Sequence, residues 1–245
     1  MNILKRIIFK KRSDKKQILT DMDKDFFPLY ELCKPYTMTS IERMYALYQA
    51  VKHVVKNNIE GDFVECGVWK GGSSMLMAAT LNHFKCYTRK IYLYDTFEGM
   101  SEPTQHDVKY DGDLAANMLN DNIEKKETAS IWAYSPLEEV KKNFTLINYP
   151  TENIYFVKGK VEDTIVKNQH DNIALLRLDT DWYESTYHEM TCLYPALTIN
   201  GVLIIDDYGH WQGARDAIDQ YIKENNLQLL LNRIDYTGRM AVKVS

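Results

Sequence analysis

Short runs of apolar and β-branched residues alternate along the chain with stretches in which apolar residues recur at helical spacing. The runs occupy residues 62–67, 90–95, 153–159, 172–179 and 201–207. Helical patterns occupy residues 36–57, 73–83, 162–169 and 185–197. Near-continuous apolar runs are typical of strands that are buried on both faces of a parallel sheet. Their alternation with helices predicts an α/β fold with a doubly wound, mostly parallel sheet.

The last part of the chain breaks this alternation. A helical pattern over residues 212–225 is followed by two strand patterns, 227–233 and 239–245, with no helix between them. We therefore expect a C-terminal antiparallel hairpin at the edge of the sheet. Residues 100–150 are polar, have only a weak helical pattern at 136–143, and are longer than an ordinary connection. Such a long insertion is usually a lid or a substrate-facing element.

Composition and charge narrow the class of protein. The chain has 245 residues, of which 45% are hydrophobic and 26% are charged, as in an ordinary globular protein. We predict a basic N-terminal arm (residues 1–20) and a single domain (residues 21–245). Residues 1–16 carry seven basic residues and one acidic residue, so the rest of the chain has a net charge of −10. An acidic body argues against nucleic acid as a partner, since phosphate binding needs clustered cations.

The basic arm and the cysteines bear on location. Apolar residues lie among the cations of the arm, so a weak contact with an anionic membrane surface is one interpretation, and a solvated tail is the other. No stretch approaches the roughly 18 to 20 apolar residues of a membrane span, and the N-terminus has no secretory pattern. The four scattered cysteines are predicted to be buried thiols in a reducing compartment. We expect a cytoplasmic protein and a homo-oligomer.

The first strand-to-helix turn has the features of a ligand site. Glu65 ends the first run, and three glycines follow it: Gly67, Gly71 and Gly72. Glycines allow the backbone to approach a ligand closely, and the next helix offers free N–H groups. A dinucleotide-binding turn would need glycine in place of Trp69. Asp95 ends the second run, where an acid commonly binds a ribose, so the pattern favours an adenosine-bearing cofactor over a merely tight corner.

A second acidic group follows the later runs. Asp179 and Asp181 come after one strand, and Asp206 and Asp207 come after the next. Carboxylates this close would raise each other's pKa unless a cation lay among them, which indicates a divalent metal. Oxygen ligands favour Mg²⁺, with Mn²⁺ or Ca²⁺ as alternatives. The other interpretation is that Asp206 and Asp207 cap a helix or pair with an arginine, Arg177 or Arg215.

These segments resemble a known family. They are DFVECGVWKGGSSMLMAAT, YDTFEGM and LLRLDTDWYESTYHEMTCLYPALTINGVLIIDDYGHWQGARDAIDQY. They look like the macrocin O-methyltransferase (TylF/MycF) family of class I, Rossmann-like enzymes, which are magnesium-dependent and use S-adenosylmethionine to methylate sugar hydroxyls. The resemblance covers roughly residues 36–245 and leaves the arm outside. This chain has Thr180 where family members commonly have glycine, and residues 100–150 match no pattern of the family.

The resemblance implies roles for individual residues. Asp179, Asp206 and Asp207 match the metal ligands, and Asp181, acting with Asp179 in catalysis, matches the proposed general base. Matches to the cofactor loop and its ribose acid are Glu65, Gly67, Gly71, Ser73, Asp95, Thr96 and Phe97. By analogy with related methyltransferases, four further residues border the cofactor: Val161 and Glu162 at the adenine, and Met38 and Thr39 closing over it.

The implied acceptor is a small hydroxylated molecule. A saccharide follows from the resemblance alone, since a catechol-like diol would satisfy the same metal chemistry. His210 follows the acidic pair and could reach the substrate. The rival hypothesis is a metal-dependent nucleotide-sugar glycosyltransferase that uses the Asp179–Thr180–Asp181 motif, although such an enzyme has no use for the glycine turn.

Overall fold

The structure is a computed structural model that describes residues 21–244, so the expectations for the basic arm lie outside the described residues. Its centre is a seven-stranded sheet with the order β3-β2-β1-β4-β5-β7-β6. The strands are β1 (Asp62–Cys66), β2 (Ile91–Asp95), β3 (Ile154–Lys158), β4 (Ile173–Leu178), β5 (Leu197–Ile205), β6 (Asn232–Arg233) and β7 (Arg239–Val242). Strands β1 to β5 are parallel, whereas β7 is antiparallel to both of its neighbours. The mostly parallel sheet and its antiparallel edge are thus confirmed.

Helices cover both faces of the sheet. They are α1 (Phe26–Cys33), α2 (Ile41–Lys56), α3 (Gly72–His83), α4 (Ala115–Asn120), α5 (Leu137–Phe144), α6 (Val161–Thr164), α7 (Tyr183–Leu193) and α8 (Gln212–Glu224). One hydrophobic core joins the sheet to α1, α2 and α3, and a second joins it to α6, α7 and α8. Residues of β4 contribute to both cores, which explains why this strand is apolar at every position except Arg177.

The strand order places a crevice at one end of the sheet. Strand β1 lies between β2 and β4, so the chain leaves β1 toward one edge and later returns to its other side. Ligands bind at such a switch point, beyond the carboxyl ends of the strands. The segments that follow β1, β2, β4 and β5 all meet there, and they are the segments that carry the predicted site residues.

Several predicted boundaries are wrong. The helix predicted at 162–169 consists of the short α6 and one 3₁₀ turn, and α7 ends before Pro195, so β5 begins at Leu197. Residues 227–233 were predicted as a strand, but only Asn232 and Arg233 pair with β7. The alternating leucines before them, Leu227, Leu229 and Leu231, pack against the second core without pairing, which accounts for the strand-like pattern.

The insertion at residues 100–150 is docked on the sheet end by its own small core. Trp132, Trp182 and Trp211 pack together with alanines and a leucine. The indole N–H of Trp182 donates to the carbonyl oxygen of Ser101 at 3.0 Å. The buried carboxylate of Asp107 accepts a hydrogen bond from the backbone N–H of Tyr183 at 2.8 Å. The insertion therefore forms a fixed wall in this structure.

Two further expectations concern the burial of the cysteines and the presence of membrane-spanning helices. Cys33 and Cys66 are buried, but Cys86 is only partly buried and Cys192 is exposed on α7, so the prediction of four buried thiols is wrong at these two positions. Among the helices of residues 21–244, none has the length and apolar character needed to cross a membrane.

Gly67 has a structural reason for being glycine. It follows β1 with a φ of +83°, and a Cβ at this position would overlap the carbonyl oxygen of Asp179. The glycine thus allows the segments after β1 and β4 to come into contact. Its small size serves the packing of these two segments as well as any ligand.

We expect Gly67→Ala to lower the free energy of unfolding by about 3 kcal/mol or more, because backbone strain and steric overlap add together. Gly112→Ala is the matched control, since Gly112 also has a positive φ, +99°, but within the described chain no other atom approaches its Cβ position within 4 Å. Strain alone should cost roughly 1 to 2 kcal/mol there. Urea denaturation measures both, and equal losses would contradict the role of the overlap.

Candidate active site

A cavity of about 490 Å³ lies at the switch point of the sheet. Its volume is within the range of small-molecule sites. Segments from the N-terminal helices, the ends of β1, β2, β4 and β5, the insertion and the β6–β7 turn all contribute to its wall. Predicted site residues in the wall are Met38, Thr39, Gly67, Ser73, Asp95, Thr96, Val161, Glu162, Asp179, Asp181, Asp206 and Asp207.

Arg177 connects the acids beneath the cavity. Its Nη1 lies 2.6 Å from Oε1 of Glu65 and 2.7 Å from Oδ2 of Asp179, and its Nη2 lies 2.6 Å from Oδ1 of Asp206. The Arg177 and Glu65 side chains are both buried. Burial raises the pKa of Glu65, while the guanidinium group acts in the opposite direction. The predicted pairing of Asp206 with an arginine is thus present together with the acidic cluster.

A second arginine enters from helix α2. Arg43 donates to Oδ2 of Asp206, and its Nε lies 3.1 Å from Oδ2 of Asp235 in the β6–β7 turn. Helix α2 is positioned by Ser40, whose hydroxyl caps the helix by accepting from the N–H of Arg43 and also donates to Asp235. Through Arg43, these contacts connect helix α2 and the β6–β7 turn to Asp206.

The three predicted metal ligands lie together. One carboxylate oxygen from each of Asp179, Asp206 and Asp207 lies within 4.8 Å of the others. Burial raises the pKa of Asp179 and Asp207 well above the usual range, and neighbouring like charges add to the shift. Within residues 21–244, the buried Oδ2 of Asp207 accepts from no donor group, although the carboxyl group of Asp181 lies close enough to raise the pKa of Asp207. A cation would satisfy both the charge and this oxygen.

Asp181 lies beside this cluster in an unusual backbone conformation. Its φ is +68°, in the left-handed region that non-glycine residues rarely adopt, and aspartate is among the residues that tolerate it best. Burial raises the pKa of Asp181 to about 7, and the charges of Asp179 and Asp206 act in the same direction. Asp181 lines the cavity, and its carboxyl group interacts with that of Asp207.

Asp95 holds the glycine turn in place. Its Oδ2 accepts from the backbone N–H groups of Val68 at 2.7 Å and Trp69 at 3.1 Å, and its Oδ1 accepts from the N–H of Phe97 at 2.6 Å. Trp69 and Phe97 both have positive φ angles. Burial raises the pKa of Asp95, while these N–H donors lower it. The acid therefore connects the turn after β1 to the turn after β2.

Three predicted cofactor residues lie behind the cavity wall. Glu65 is buried with Arg177 and accepts from Ser74, Gly71 packs against α5, and the Phe97 ring belongs to the first core. Their direct contact with a cofactor stays a prediction. In this structure they support the residues that do line the cavity.

Other cavity residues lay outside the sequence prediction. They include Tyr36, Thr37, Arg43, Lys109, Met118, Tyr236 and Thr237. Arg43 lies on a helix more than 130 residues before Asp206, and no local pattern connects the two. An excess of acids without matching cations nearby in the sequence was the one signal that more distant arginines would be needed.

The sequence profile of the macrocin-O-methyltransferase (TylF) family matches residues 6–242, which is nearly the whole chain. This chain belongs to that family. The match begins at residue 6, so our expectation that the basic arm lies outside the resemblance was wrong.

Curated relatives and a solved structure agree with this family. The chain is 34% identical to demethyldecarbamoylnovobiocin O-methyltransferase from Streptomyces niveus over 203 residues, or 83% of this chain and 74% of the relative. It is 32% identical, with the same coverage, to 8-demethyl-8-(2,3-dimethoxy-alpha-L-rhamnosyl)-tetracenomycin-C 4'-O-methyltransferase from Streptomyces olivaceus. The structure of the O-methyltransferase NovP matches with a TM-score of 0.74 at 33% identity, covering 86% of this chain and 83% of that one.

Family membership establishes the class of reaction. The protein is an S-adenosylmethionine-dependent O-methyltransferase with a Rossmann-like class I fold. The relatives named above are all O-methyltransferases and give no support to the glycosyltransferase hypothesis.

We expect Arg177→Met to lower the free energy of unfolding by about 3 to 5 kcal/mol, because it leaves Glu65 and the acids beside it without their counter-charge. Lys141→Met is the control, since Lys141 forms an exposed pair with Glu138 at 2.7 Å, which contributes at most about 0.5 kcal/mol. Chemical denaturation at neutral pH compares the two variants. If Arg177→Met were as stable as Lys141→Met, the arginine would not be the charge that balances the cluster.

Proposed function

We propose that the protein transfers a methyl group from S-adenosylmethionine to a sugar hydroxyl in a reaction that depends on a divalent metal. The observation that carries the proposal is the group of Asp179, Asp206 and Asp207, whose oxygens converge within 4.8 Å beside the cavity. Asp95, the acid at the end of β2, lines the same cavity. The methyl donor and the acceptor beside the metal would thus meet in this cavity.

The acids fit a hard dication. Five carboxyl groups, from Glu65, Asp179, Asp181, Asp206 and Asp207, lie at this end of the sheet, and within the described chain they share two guanidinium groups. The excess of negative charge and the set of oxygen ligands favour Mg²⁺, with Mn²⁺ or Ca²⁺ as alternatives. The unpartnered buried oxygen of Asp207 supports the same conclusion.

Methyl transfer to an alcohol needs a partly ionised hydroxyl in line with the donor's methyl group. When bound, the metal lowers the pKa of a nearby hydroxyl and orients vicinal oxygens. Asp181 is the candidate base: its carboxyl group accepts the hydroxyl proton as the bond from sulfur to methyl breaks and the bond from oxygen to methyl forms. Such a base contributes about 10² to 10⁴ in rate, so holding donor and acceptor in line is needed as well.

The cofactor would lie across the ends of β1 and β2. Gly67 and Ser73 line the cavity at the turn that begins helix α3, where free N–H groups favour a carboxylate such as that of the methionine moiety. Asp95 and Thr96 line the cavity and would contact the ribose, and Val161 and Glu162 line it and would contact the adenine. The hydroxyl of Ser185 donates to Glu162 at 2.7 Å and so restricts that side chain. Met38 and Thr39 enter from the N-terminal segment, as expected for residues that close over a ligand.

The acceptor would lie between the acids and the docked insertion. Met100, Met118 and Ile131 give that wall an apolar surface, and His210 and Tyr236, which pack beside Tyr110 of the insertion, also line the cavity. Apolar and aromatic walls suit the C–H faces of a pyranose. One relative's name specifies the 4'-O-methylation of a rhamnosyl-bearing molecule, which supports a saccharide acceptor here.

We expect Asp207→Asn to reduce methyl transfer at least about 100-fold, because it removes a ligand of the metal without breaking the contacts of Arg177. The assay uses purified protein, labelled S-adenosylmethionine, Mg²⁺ and a panel of methyl glycosides and nucleotide sugars, with and without EDTA. S-adenosylhomocysteine affinity, measured by calorimetry, should change less than about twofold.

Asp171→Asn is the matched control for this variant, since it makes the same change at an exposed acid at the opposite end of the sheet. Activity that survives EDTA and Asp207→Asn would contradict the metal dependence. If the protein bound nucleotide sugars but not S-adenosylhomocysteine, the assignment of S-adenosylmethionine as the methyl donor would be wrong.

We expect Asp95→Ala to weaken S-adenosylhomocysteine binding by roughly 1.5 to 3 kcal/mol, the scale for losing charge-assisted hydrogen bonds. Calorimetry of the purified variant measures this affinity. Asp95→Asn separates the contact of the acid with the cofactor from its support of the glycine turn, because asparagine keeps one acceptor oxygen for the N–H groups of the turn. Unchanged affinity in both variants would remove Asp95 from the cofactor site.

A further inference from the structure

Glu189 is a buried acid that the reaction described above does not use. It lies in the middle of α7, with 0% of its surface exposed. Its Oε1 accepts a hydrogen bond from the hydroxyl of Thr180 at 2.9 Å. Within residues 21–244, Oε2 has no hydrogen-bond partner by geometry, although the thiol of Cys66 lies close enough to affect the pKa of Glu189. Because burying a carboxyl group is costly, a residue that only filled space here would be expected to be apolar.

Thr180 lies between the two acids that matter most for the proposed reaction. The N–H of Asp179 donates to the carbonyl oxygen of Cys66 at 2.8 Å. The N–H of Trp182 donates to the carbonyl oxygen of Thr180 at 2.8 Å. Between these two bonds, Asp181 adopts its left-handed conformation. A non-glycine residue keeps such a conformation only when the surrounding structure holds it there. Among the described residues, the side chain of Thr180 gives this turn its hydrogen bond to helix α7.

We propose that Glu189 is a positioning residue, which fixes the Asp179–Thr180–Asp181 turn through its hydrogen bond with Thr180 and so holds both aspartates in place for the metal and the acceptor. This inference rests on the proposed function. It assigns a role to a helix residue that touches neither ligand.

The surroundings of Glu189 agree with this role. Burial raises the pKa of Glu189 well above the usual range, and the charges of Glu162 and Asp179 act in the same direction. Glutamine has the same shape, is neutral and keeps an oxygen that accepts from Thr180. Leucine fills similar space but offers no acceptor. The hydrogen bond between Glu189 and Thr180 can therefore be removed by substituting either residue.

The test measures Mn²⁺ binding to the cofactor-free protein by electron paramagnetic resonance, together with S-adenosylhomocysteine binding by calorimetry. Positioning residues around metal ligands typically affect metal affinity by 10- to 100-fold. We expect Glu189→Leu and Thr180→Val each to weaken Mn²⁺ binding about tenfold or more, and the double variant to be no worse than either single one. Glu189→Gln should stay within about twofold of the wild type, and S-adenosylhomocysteine affinity should be unchanged in all of them.

Thr191→Val is the matched control, because the hydroxyl of Thr191 donates to its own helix, at the carbonyl oxygen of Tyr187. If Glu189→Leu fails to fold, Thr180→Val still breaks the same hydrogen bond. Mn²⁺ binding by Thr180→Val as tight as that of the wild type, or additive losses in the double variant, would overturn the positioning role alone. A wild-type protein that binds no Mn²⁺ would overturn the proposed function and this inference with it.

Discussion

The contacts of Arg177 are the interaction on which this end of the sheet depends. Arg177 lies directly opposite Glu65 in the ladder between β1 and β4, so the two buried charges meet as cross-strand neighbours. From there the guanidinium group also reaches Asp179, at the end of its own strand, and Asp206, at the end of the next. Three strand ends are thereby held in one arrangement by one cation. Removing two charges from water is costly, and only such a complete set of contacts compensates for the loss.

This arrangement also determines which carboxylate oxygens remain available. Arg177 engages Oδ2 of Asp179 and Oδ1 of Asp206, and Arg43 engages the other oxygen of Asp206. In the described chain, Oδ2 of Asp207 accepts from no donor group. The arginines therefore orient the acids without neutralising all of them. A rigid but incompletely compensated set of acids is what a hard dication requires of its site.

The sequence predicted much of this because the signals were local. The apolar runs of β1, β2 and β4 end in acids, and parallel strands bring their carboxyl ends together, so the two acidic groups could be placed from the pattern alone. Boundaries failed where packing replaced pairing: Leu227, Leu229 and Leu231 alternate like a strand but pack against the second core without pairing. Arg43 was missed for a different reason, because its partner is far away in the sequence and its helix has an ordinary amphipathic pattern. Local periodicity does not reveal which distant residue a long side chain contacts in the folded protein.

The glycine turn illustrates how structural and functional demands coincide. Gly67 is required by its φ and by the carbonyl of Asp179, and Asp95 is engaged by the N–H groups of the same turn. Either residue would be needed even if no cofactor were bound. Yet the contact between Gly67 and Asp179 brings the glycine turn and the acidic turn together, so that under the proposed function a methyl donor at the first turn would lie within reach of an acceptor at the second. The packing that these residues serve is therefore the means by which the two half-sites become one site.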